Sequence, residues 1–402
     1  MSLPEPEVVS LGCRLNIAES ETIRTLLAGR DDARAMVVVN SCAVTNEAVK
    51  QTRAAIRRAA RDRPGAAIVV TGCAATIDPA GFAAMPEVAR VVANDAKLAP
   101  ATWGAPPSLV PVAFAGHARA FVEVQNGCDH SCTFCIIPQG RGASRSVPAG
   151  LVIERVRALV EAGHREVVLT GVDLTSYGPD LPGRPTLGAL VERILTHVPE
   201  LPRLRLSSLD SVEIDERLFA LVTQEPRVMP HLHLSLQAGH DLILKRMKRR
   251  HSRAQSVALV ERLKAARPEL AIGADLIAGF PTEDDAMFAD TLALIDDVDI
   301  VHAHIFPYSP RTGTPAARMP QVAPELRRER AARLRAAAAA RRGRWLASLV
   351  GSEQAILVER PGTRGHAGNF ADIHCTSPAE PGTLRRVAVT GATDTNLIGT
   401  LL

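Results

Sequence analysis

Three cysteines in one short loop are the residues of this chain with the clearest chemical potential. Cys128, Cys132 and Cys135 form a C-x3-C-x2-C pattern directly after an apolar run, Ala120–Val124, that predicts a short strand. Thiolates are soft ligands, so this spacing would let one loop wrap three sulfurs around zinc or an iron–sulfur cluster. The pattern therefore indicates a metal centre and leaves two kinds of centre open.

The number of ligands separates these two kinds of centre. A structural zinc site takes four protein ligands, and its thiols usually come in C-x2-C pairs. This loop has one such pair, an offset third thiol and no following fourth cysteine, and His130 could supply a fourth ligand only in a strained loop. Three thiols on a four-iron cluster would leave one iron open to activate a small molecule. A structural zinc loop stays as the alternative.

The N-terminal part of the chain must position three further cysteines. Each closely follows a predicted Val-rich or apolar strand, and helical segments such as Ala48–Arg61 lie between the strands, which predicts a parallel α/β layer. The strands are Val8–Gly12, Met36–Asn40 and Ala67–Thr71, and the cysteines are Cys13, Cys42 and Cys73. Because carboxyl ends of parallel strands meet at one edge, we expect the thiols to converge. The alternative for each is a small buried hydrophobe.

Six strand–helix units after residue 118 predict a partial (β/α) barrel. In such barrels the chemistry lies at the carboxyl ends of the strands, and the cysteine loop follows the first strand. The predicted strands are Phe121–Gln125, Glu166–Gly171, Leu204–Ser208, His231–Gln237, Ile272–Ala278 and Ile300–Phe306. The proline-rich segment before them predicts a linker at 101–117, which separates an N-terminal domain (1–100) from the barrel (118–349).

The last part of the barrel domain and the appendage after it raise the question of RNA contact. A long helix is predicted over Ala323–Leu349, with eight arginines against two glutamates between Glu325 and Arg344. A solvated helix face and RNA contact are equally compatible with that charge. Residues 350–402 predict a small β domain with Cys375 as a core residue. This domain has four arginines and five acidic residues, so it lacks the excess of positive charge expected of an RNA-binding groove.

Composition sets the class of protein. With 402 residues and 46% hydrophobic content, two or three domains are expected, and a formal charge of +4 implies no general affinity for polyanions. No run approaches the roughly 18 apolar residues of a membrane span. We therefore expect a cytoplasmic monomer without membrane contact, in which thiols serve metal binding or catalysis rather than disulfides.

The cysteine loop, with Phe134 before its last thiol, resembles the signature of radical S-adenosylmethionine (SAM) enzymes. The whole chain resembles their methylthiotransferase family, which combines an N-terminal cluster domain, a radical SAM barrel and a C-terminal RNA-binding β-barrel called TRAM. The predicted fold is therefore α/β, with a parallel cluster domain, a partial (β/α)6 barrel and a small TRAM-like β-barrel. The matching stretches are Ser10–Asn16, Asn40–Thr45, Thr71–Ala74, Gly127–Arg141, Leu169–Asp173, Leu234–Gly239 and Phe306–Ala316.

The resemblance implies two [4Fe-4S] clusters and SAM as cofactors. The cluster on Cys128, Cys132 and Cys135 would bind SAM and split it reductively into methionine and a deoxyadenosyl radical. That radical would remove a hydrogen atom from an unactivated aromatic carbon. No side chain is a strong enough acid or base to carry out this reaction, so the cofactor must supply the chemistry. The cluster on the N-terminal thiols Cys13, Cys42 and Cys73 would hold the sulfur, methylated by a second SAM.

Several residues are candidates for contact with SAM. Gly171 and Asp173 match the family position beside the SAM amino acid moiety, although Asp173 fits a helix N-cap equally well. Phe134 would lie near the adenine or would be an ordinary core aromatic. Three weaker candidates are placed only by lying at or beyond strand ends: Ser208, Gln237 and Arg249.

Residues around Cys42 indicate the substrate branch. Ala43-Val44-Thr45 after Cys42, with Gln51 and Arg53, resembles the threonylcarbamoyladenosine branch, although Ser41 departs from its usual threonine. This implies methylthio transfer to C2 of N6-threonylcarbamoyladenosine beside the tRNA anticodon. The alternatives are isopentenyladenosine, a ribosomal-protein aspartate, or a non-catalytic iron–sulfur RNA-binding protein. The implied partners are a tRNA anticodon loop and a flavodoxin- or ferredoxin-like electron donor, and the sulfur donor is left open.

Overall fold

The computed structural model describes residues 6–28, 35–106, 114 and 117–402. It contains a parallel four-stranded sheet, an open parallel barrel and a closed β-barrel in chain order, which confirms the predicted fold class. The predicted linker at 101–117 lies largely outside the described residues, namely at 107–113, 115 and 116. Its described beginning holds a short 3₁₀ helix, Pro100–Trp103.

The N-terminal sheet is a parallel layer in the order β1-β2-β3-β4. Its central strands are buried on both faces, as Val37–Val39 and Ile68–Val70 show, and continuous apolar runs of this kind favour parallel sheets. The predicted strands are present, and one short edge strand, β4, was not predicted. The elements are β1 (Glu7–Ser10), α1 (Arg14–Leu27), β2 (Met36–Ser41), α2 (Asn46–Asp62), β3 (Ala67–Gly72), α3 (Cys73–Ile77), α4 (Pro79–Ala83) and β4 (Val88–Val91).

The open barrel has six parallel strand positions, as predicted. The strands are β5 (Ala120–Glu123), β8 (Glu166–Thr170), β9 (Arg203–Leu206) followed by β10 (Ser208–Leu209), β11 (His231–Gln237), β12 (Ala271–Ala278) and β13 (Ile300–Pro307). A small antiparallel ribbon, β6 (Gln125–Asn126) with β7 (Arg145–Ser146), flanks the cysteine loop. Ser207 interrupts the third position, where its amide donates to the Leu169 carbonyl at 3.1 Å.

Helices cover the strands of the open barrel and complete its apolar core. Along β11, Leu232, Leu234 and Leu236 belong to this core, whereas the alternate residues His231 and His233 line a cavity, as the two-residue strand period requires. The helices are α5 (Ile137–Arg141), α6 (Ala149–Glu161), α7 (Leu187–His197), α8 (Glu216–Gln224), α9 (Asp241–Met247), α10 (Arg253–Ala266) and α11 (Asp285–Asp297).

A long helix, α12 (Pro324–Ser348), connects the open barrel to the C-terminal unit. Leu346 of α12 is buried in the core of the closed barrel, against which Cys375 is partly buried. The closed barrel runs β14-β15-β16-β18-β17, from β14 (Glu353–Glu359), β15 (Arg364–Ala367), β16 (Asp372–Cys375), β17 (Leu384–Ala392) and β18 (Leu397–Leu401). In the described parts of the chain, no helix has the length and apolarity needed to cross a membrane.

Candidate metal centre

The three N-terminal cysteines converge at the carboxyl edge of the first sheet, as expected. Cys13 precedes α1, Cys42 follows β2 and Cys73 begins α3. The backbone of Gly12 (φ +97°) comes so close to Cys42 that an added Cβ would lie 2.7 Å from its Sγ. Burial, with the nearby sulfurs of Cys13 and Cys73, raises the pKa of the Cys42 thiol to about 11. Three sulfur donors therefore share one neighbourhood.

The second set of thiols lies in the loop between β6 and α5. The backbone amide of His130 lies 3.4 Å from the Cys128 sulfur, and that of Ile137 lies 3.4 Å from the Cys135 sulfur. Burial raises the pKa of Cys128 to about 11 and that of Cys135 to about 12, so a bound cation is needed to favour their thiolates. Three sulfurs with amide donors fit a [4Fe-4S] cluster, whose potential such hydrogen bonds tune.

The cysteine loop is fixed to the barrel through Thr133. Its amide donates to the Met247 carbonyl at 3.1 Å and its hydroxyl to the Arg246 carbonyl at 2.8 Å. In return, the Ala316 amide donates to the Thr133 carbonyl at 2.9 Å. The loop is thus held by the end of α9 and by the segment after β13, which orients its sulfurs over the open barrel.

The two sets of thiols are joined through a shared wall. Gly140 of α5 packs so tightly on Cys73 that a Cβ at position 140 would lie 3.1 Å from the Cys73 Cβ. The Asn94 side-chain amide lies 3.6 Å from the Cys73 sulfur and donates to the Gly140 carbonyl as well. The segment that follows the second set therefore contacts a member of the first set directly.

A buried charge network lies against this wall. The Glu19 carboxylate binds Lys97 Nζ at 2.5 Å and Arg141 Nη1 at 2.8 Å, and all three side chains are almost fully buried. Burial alone would raise the pKa of Glu19, but the two cations lower it below its usual value. Arg141 Nη2 also donates to Asn16 Oδ1 at 2.5 Å. The network fixes α1, which Cys13 directly precedes, to α5, which directly follows the cysteine loop.

We expect Glu19→Gln to destabilise the protein by roughly 3–5 kcal/mol, because it removes the carboxylate that forms ion pairs with two buried cations. Anaerobic denaturant unfolding followed by circular dichroism would measure the change. Glu216→Gln is the matched control, because Glu216 forms an exposed pair with Arg262 at 3.1 Å, and such pairs contribute no more than about 1 kcal/mol. Equal losses in both variants would show that the network does not hold the two units together.

Arg249 lies beside the second set of thiols. Its Nη1 is 3.7 Å from the Cys132 sulfur, and its Nη2 donates to Asp210 Oδ2 at 3.0 Å and to the Ser235 carbonyl at 2.9 Å. Of the predicted residues at strand ends, Arg249 is thus the one with a direct contact to a cysteine. Asp210, which holds it in place, was not predicted.

Asp173 lies near the same loop and binds side chains. Its Oδ2 lies 2.9 Å from His130 Nε2, and it accepts hydrogen bonds from Thr175 at 2.6 Å and Ser176 at 3.0 Å. Burial would raise the pKa of Asp173, but these donors lower it. Asp173 occupies the N-cap position of the 3₁₀ helix Leu174–Ser176 without a capping bond to the backbone. Because His130 faces Asp173, it is turned to a carboxylate rather than serving as a fourth ligand.

Gly171 closely approaches a residue that the sequence analysis missed. The Gln125 side-chain oxygen accepts hydrogen bonds from the amides of Val172 and Asp173, each at 3.0 Å. A Cβ at Gly171 would lie 3.0 Å from that same oxygen. Its polar side chain at the end of the predicted strand Phe121–Gln125 was the available signal. Gln125 positions the turn that carries Asp173.

The other candidate residues contact the protein core or lie at strand ends. Phe134 packs edge-to-face on Phe280, with ring centroids 6.3 Å apart, which fits the core-aromatic interpretation. Ser208 begins β10, and Gln237 ends β11 with a φ of +69°. Neither side chain has a hydrogen bond within the described part of the chain.

The basic helix α12 is largely neutralised. Five of its eight arginines form ion pairs with nearby acids, and a sixth, Arg327, donates to the Tyr308 carbonyl at 2.9 Å. These contacts reduce the number of arginines on the helix that are free to bind RNA. Three of the ion pairs are made with acids on α11 and neighbouring segments, which a charge count along one helix does not include. The other two are made with Glu325 and Glu329 of α12 itself. The paired arginines are Arg328, Arg330, Arg333, Arg341 and Arg344.

Two family models match the chain. The model of the Radical SAM superfamily matches residues 122–295, and that of Uncharacterized protein family UPF0004 matches residues 6–93. The first match contains the cysteine loop Cys128–Cys135. The second contains the three cysteines of the N-terminal sheet.

Curated relatives match most of the chain. Threonylcarbamoyladenosine tRNA methylthiotransferase MtaB from Rickettsia prowazekii (strain Madrid E) is 46% identical over 91% of this chain and 90% of its own. The protein of the same name from Bacillus subtilis (strain 168) is 36% identical over 81% of this chain and 78% of its own. A tRNA-2-methylthio-N(6)-dimethylallyladenosine synthase from Erythrobacter litoralis (strain HTCC2594) is 33% identical over 90% of this chain and 88% of its own.

Solved structures share the fold at low sequence identity. A radical S-adenosylmethionine methyltransferase, TsrM from Kitasatospora setae, is 15% identical and superposes with a TM-score of 0.50 over 70% of this chain and 66% of its own. The cobalamin-dependent S-adenosylmethionine radical enzyme OxsB is 11% identical, with a TM-score of 0.51 over 83% of this chain and 55% of its own. These similarities support the architecture.

Proposed function

Because the chain belongs to the radical SAM methylthiotransferase family, we propose that it adds a methylthio group to C2 of N6-threonylcarbamoyladenosine beside the tRNA anticodon. The enzyme uses SAM and two [4Fe-4S] clusters, as this family does. These bound groups supply the one-electron and sulfur-transfer chemistry that protein side chains cannot provide. The protein's own residues must hold the two centres, bind SAM and present the base.

One observation carries this proposal: two sets of three thiols share the wall formed by Gly140 and Asn94. Sulfur insertion at a carbon needs a site that generates the radical and a site that holds the sulfur, both within reach of one substrate atom. Contact between Gly140 and Cys73 supports this proximity. A non-catalytic RNA-binding protein would have no need of two open three-thiol sets, since a structural cluster normally has four protein ligands.

The residues of the two centres have separate proposed roles. Cys128, Cys132 and Cys135 hold the cluster that binds SAM, and Cys13, Cys42 and Cys73 hold the cluster that handles sulfur. Arg249 and Asp173 orient the polar groups of SAM, because one contacts the Cys132 sulfur and the other lies near Cys128. Gly171, with Gln125, positions the turn before Asp173. Phe134, Ser208 and Gln237 remain candidates for the remainder of the SAM pocket.

The choice of an anticodon-loop adenosine has a physical basis. Adenine C2 lies on the minor-groove edge of the base and must reach a recessed site between the two sets of thiols. An unpaired loop base can be splayed out at small cost, unlike a base in a duplex. The threonylcarbamoyl form is favoured because the relative at 46% identity carries that name, and because Ala43-Val44-Thr45 follows Cys42.

Deleting the gene should remove 2-methylthio-N6-threonylcarbamoyladenosine from cellular tRNA and leave its N6-threonylcarbamoyladenosine precursor in its place. Nucleoside mass spectrometry of digested tRNA measures both compounds, and re-expression of the intact chain should restore the product.

The same digest tests the other branches. Loss of the methylthio-dimethylallyl nucleoside, with the threonylcarbamoyl product intact, would move the protein to the branch represented by the Erythrobacter relative. Loss of a methylthio group from a ribosomal aspartate, with both nucleosides unchanged, would contradict a tRNA substrate altogether.

A further inference from the structure

A cavity of about 350 Å³ lies where the N-terminal unit, the open barrel and the closed barrel meet. Arg14 from α1, Arg335 and Arg342 from α12, and Phe370 and Asp372 from the closed barrel contribute to its lining. Three arginines from two units thus line one partly open cavity. Nothing in the proposed roles of the thiols or of SAM accounts for them.

Arg14 is a half-buried cation that pairs with no carboxylate among the described residues. Its guanidinium carbon lies 5.6 Å from the centroid of the Phe370 ring. Across residues 6–28, 35–106, 114 and 117–402, it has no hydrogen bond and no ion pair. An unpaired charge that is removed from water is costly, so an anion from outside the chain would complete this site.

The carboxylates near Arg14 are already occupied. Glu166 accepts hydrogen bonds from Arg205 and Arg119, each at 3.0 Å. Asp275 lies 3.0 Å from His233 Nε2 and 3.3 Å from His304 Nδ1. These contacts leave neither carboxylate available to neutralise Arg14.

Arg335 and Arg342 of α12 both line the cavity, and the hydrogen bonds of both go to backbone carbonyls. Arg335 donates to the Ile305 carbonyl and Arg342 to that of Thr395, each at 3.0 Å. The buried Nε of Arg342 has no partner, and Asp372 attracts Arg342 only from beyond ion-pair distance. Among the described residues, neither arginine has a carboxylate within 4.0 Å. The cavity therefore has the charge of an anion site.

Short series of neighbouring residues lead from the cavity lining to both sets of thiols. On one side, Arg14 directly follows Cys13. On the other side, His233 lies two residues before Ser235, whose carbonyl binds Arg249, and Arg249 contacts the Cys132 sulfur at 3.7 Å. In adenine, C2 and C6 lie on either side of N1, so the bond from C6 to N6 points away from the outward bond at C2. A base whose C2 lies between the thiol sets would therefore direct its N6 substituent into adjoining space.

We propose that this cavity binds the carboxylate of the threonylcarbamoyl group, with Arg14, Arg335 and Arg342 as the residues that determine specificity. The inference rests on the proposed function and deepens it. The threonyl carboxylate is ionised at neutral pH, and guanidinium groups match carboxylates in pairs of parallel hydrogen bonds. A dimethylallyl group is neutral and apolar and would leave the three cations unpaired, so such a site would reject it.

Two synthetic anticodon stem-loops test this inference: one carries N6-threonylcarbamoyladenosine, and the other carries its threoninamide analogue, in which the carboxylate is a neutral amide. For the intact enzyme, kcat/KM should be roughly 100-fold higher with the acid than with the amide. Arg14→Gln should reduce kcat/KM for the acid by roughly the same factor. The ratio of kcat/KM with the acid to kcat/KM with the amide should then be close to one. Fluorescence anisotropy should show that Arg14→Gln binds the acid stem-loop more weakly than the intact enzyme does. Its binding of the amide stem-loop should be unchanged.

Arg342→Gln provides a second variant at a distance from Cys13, with iron content and circular dichroism verifying that the clusters and fold are retained. Arg341→Gln is the control on the same helix, because Arg341 is paired with Asp299 outside the cavity, and its acid-to-amide ratio should match that of the intact enzyme. A reduced ratio in both Arg14→Gln and Arg342→Gln supports the inference.

Two outcomes would overturn the inference. An acid-to-amide ratio in both variants equal to that of the intact enzyme would show that the cavity does not bind the carboxylate. Equal losses on both stem-loops, with a shallower dependence of binding on salt, would assign the arginines to RNA phosphates instead. Failure of the intact enzyme to modify the acid stem-loop would refute the proposed function itself, which distinguishes the two failures.

Discussion

Replacement of Cys128, Cys132 and Cys135 together by alanine is expected to abolish reductive cleavage of SAM and to halve the iron content. The three sulfurs lie in one loop fixed through Thr133, and removing all of them leaves that loop without donors for a cluster. Since no side chain can replace this chemistry, deoxyadenosine formation should fall to background. Anaerobic reconstitution, iron determination and chromatography of SAM products measure both effects.

Cys375→Ala is the matched control for this variant. Cys375 is a thiol of the C-terminal barrel, partly buried against that barrel's own core. The control should bind as much iron and cleave as much SAM as the intact enzyme. Full SAM cleavage by the triple variant would show that radical generation does not depend on this loop.

Replacement of Cys13, Cys42 and Cys73 by alanine is expected to have the complementary effect. The triple variant should still form deoxyadenosine, because the second loop and Arg249 are unchanged, but it should transfer no methylthio group to RNA. Half of the iron should be lost. Mass spectrometry of the RNA and chromatography of SAM products, made on the same reaction, separate the two activities.

Circular dichroism of this second variant is needed because Cys42 and Cys73 are buried. Their replacement removes sulfur atoms without adding volume, so the sheet should persist. Methylthiolated RNA from this variant would refute the division of roles, whatever the iron content.

The fold could be predicted well from the sequence because its strands are short apolar runs bounded by turn-forming and polar residues. The boundaries of β11 agree with the prediction at both ends, and those of β12 and β13 agree within one residue. The convergence of the N-terminal thiols also followed from topology alone, since parallel strands end at one edge. β4 was missed because its four residues, Val88–Val91, include an arginine and are all exposed or half-buried.

The contacts that position the site could not be predicted in the same way. Arg141, Asn94 and Gln125 act through partners far away in sequence, so no local pattern marks them. Arg14 follows a cysteine in a matched stretch, but only the cavity shows that its charge is unpaired. The pairing of Arg341 with Asp299 of the α11–β13 turn likewise depends on how α12 lies against its neighbours.

The most direct test of the account is nucleoside mass spectrometry of one anaerobic reaction that contains the intact enzyme, SAM, a reductant and a threonylcarbamoyladenosine stem-loop, run beside the two triple-cysteine variants. The intact enzyme should yield the 2-methylthio nucleoside, and neither variant should yield it, while only the variant at Cys13, Cys42 and Cys73 continues to form deoxyadenosine. An unmodified stem-loop from an enzyme that contains both clusters, or a methylthiolated one from either variant, would contradict the account.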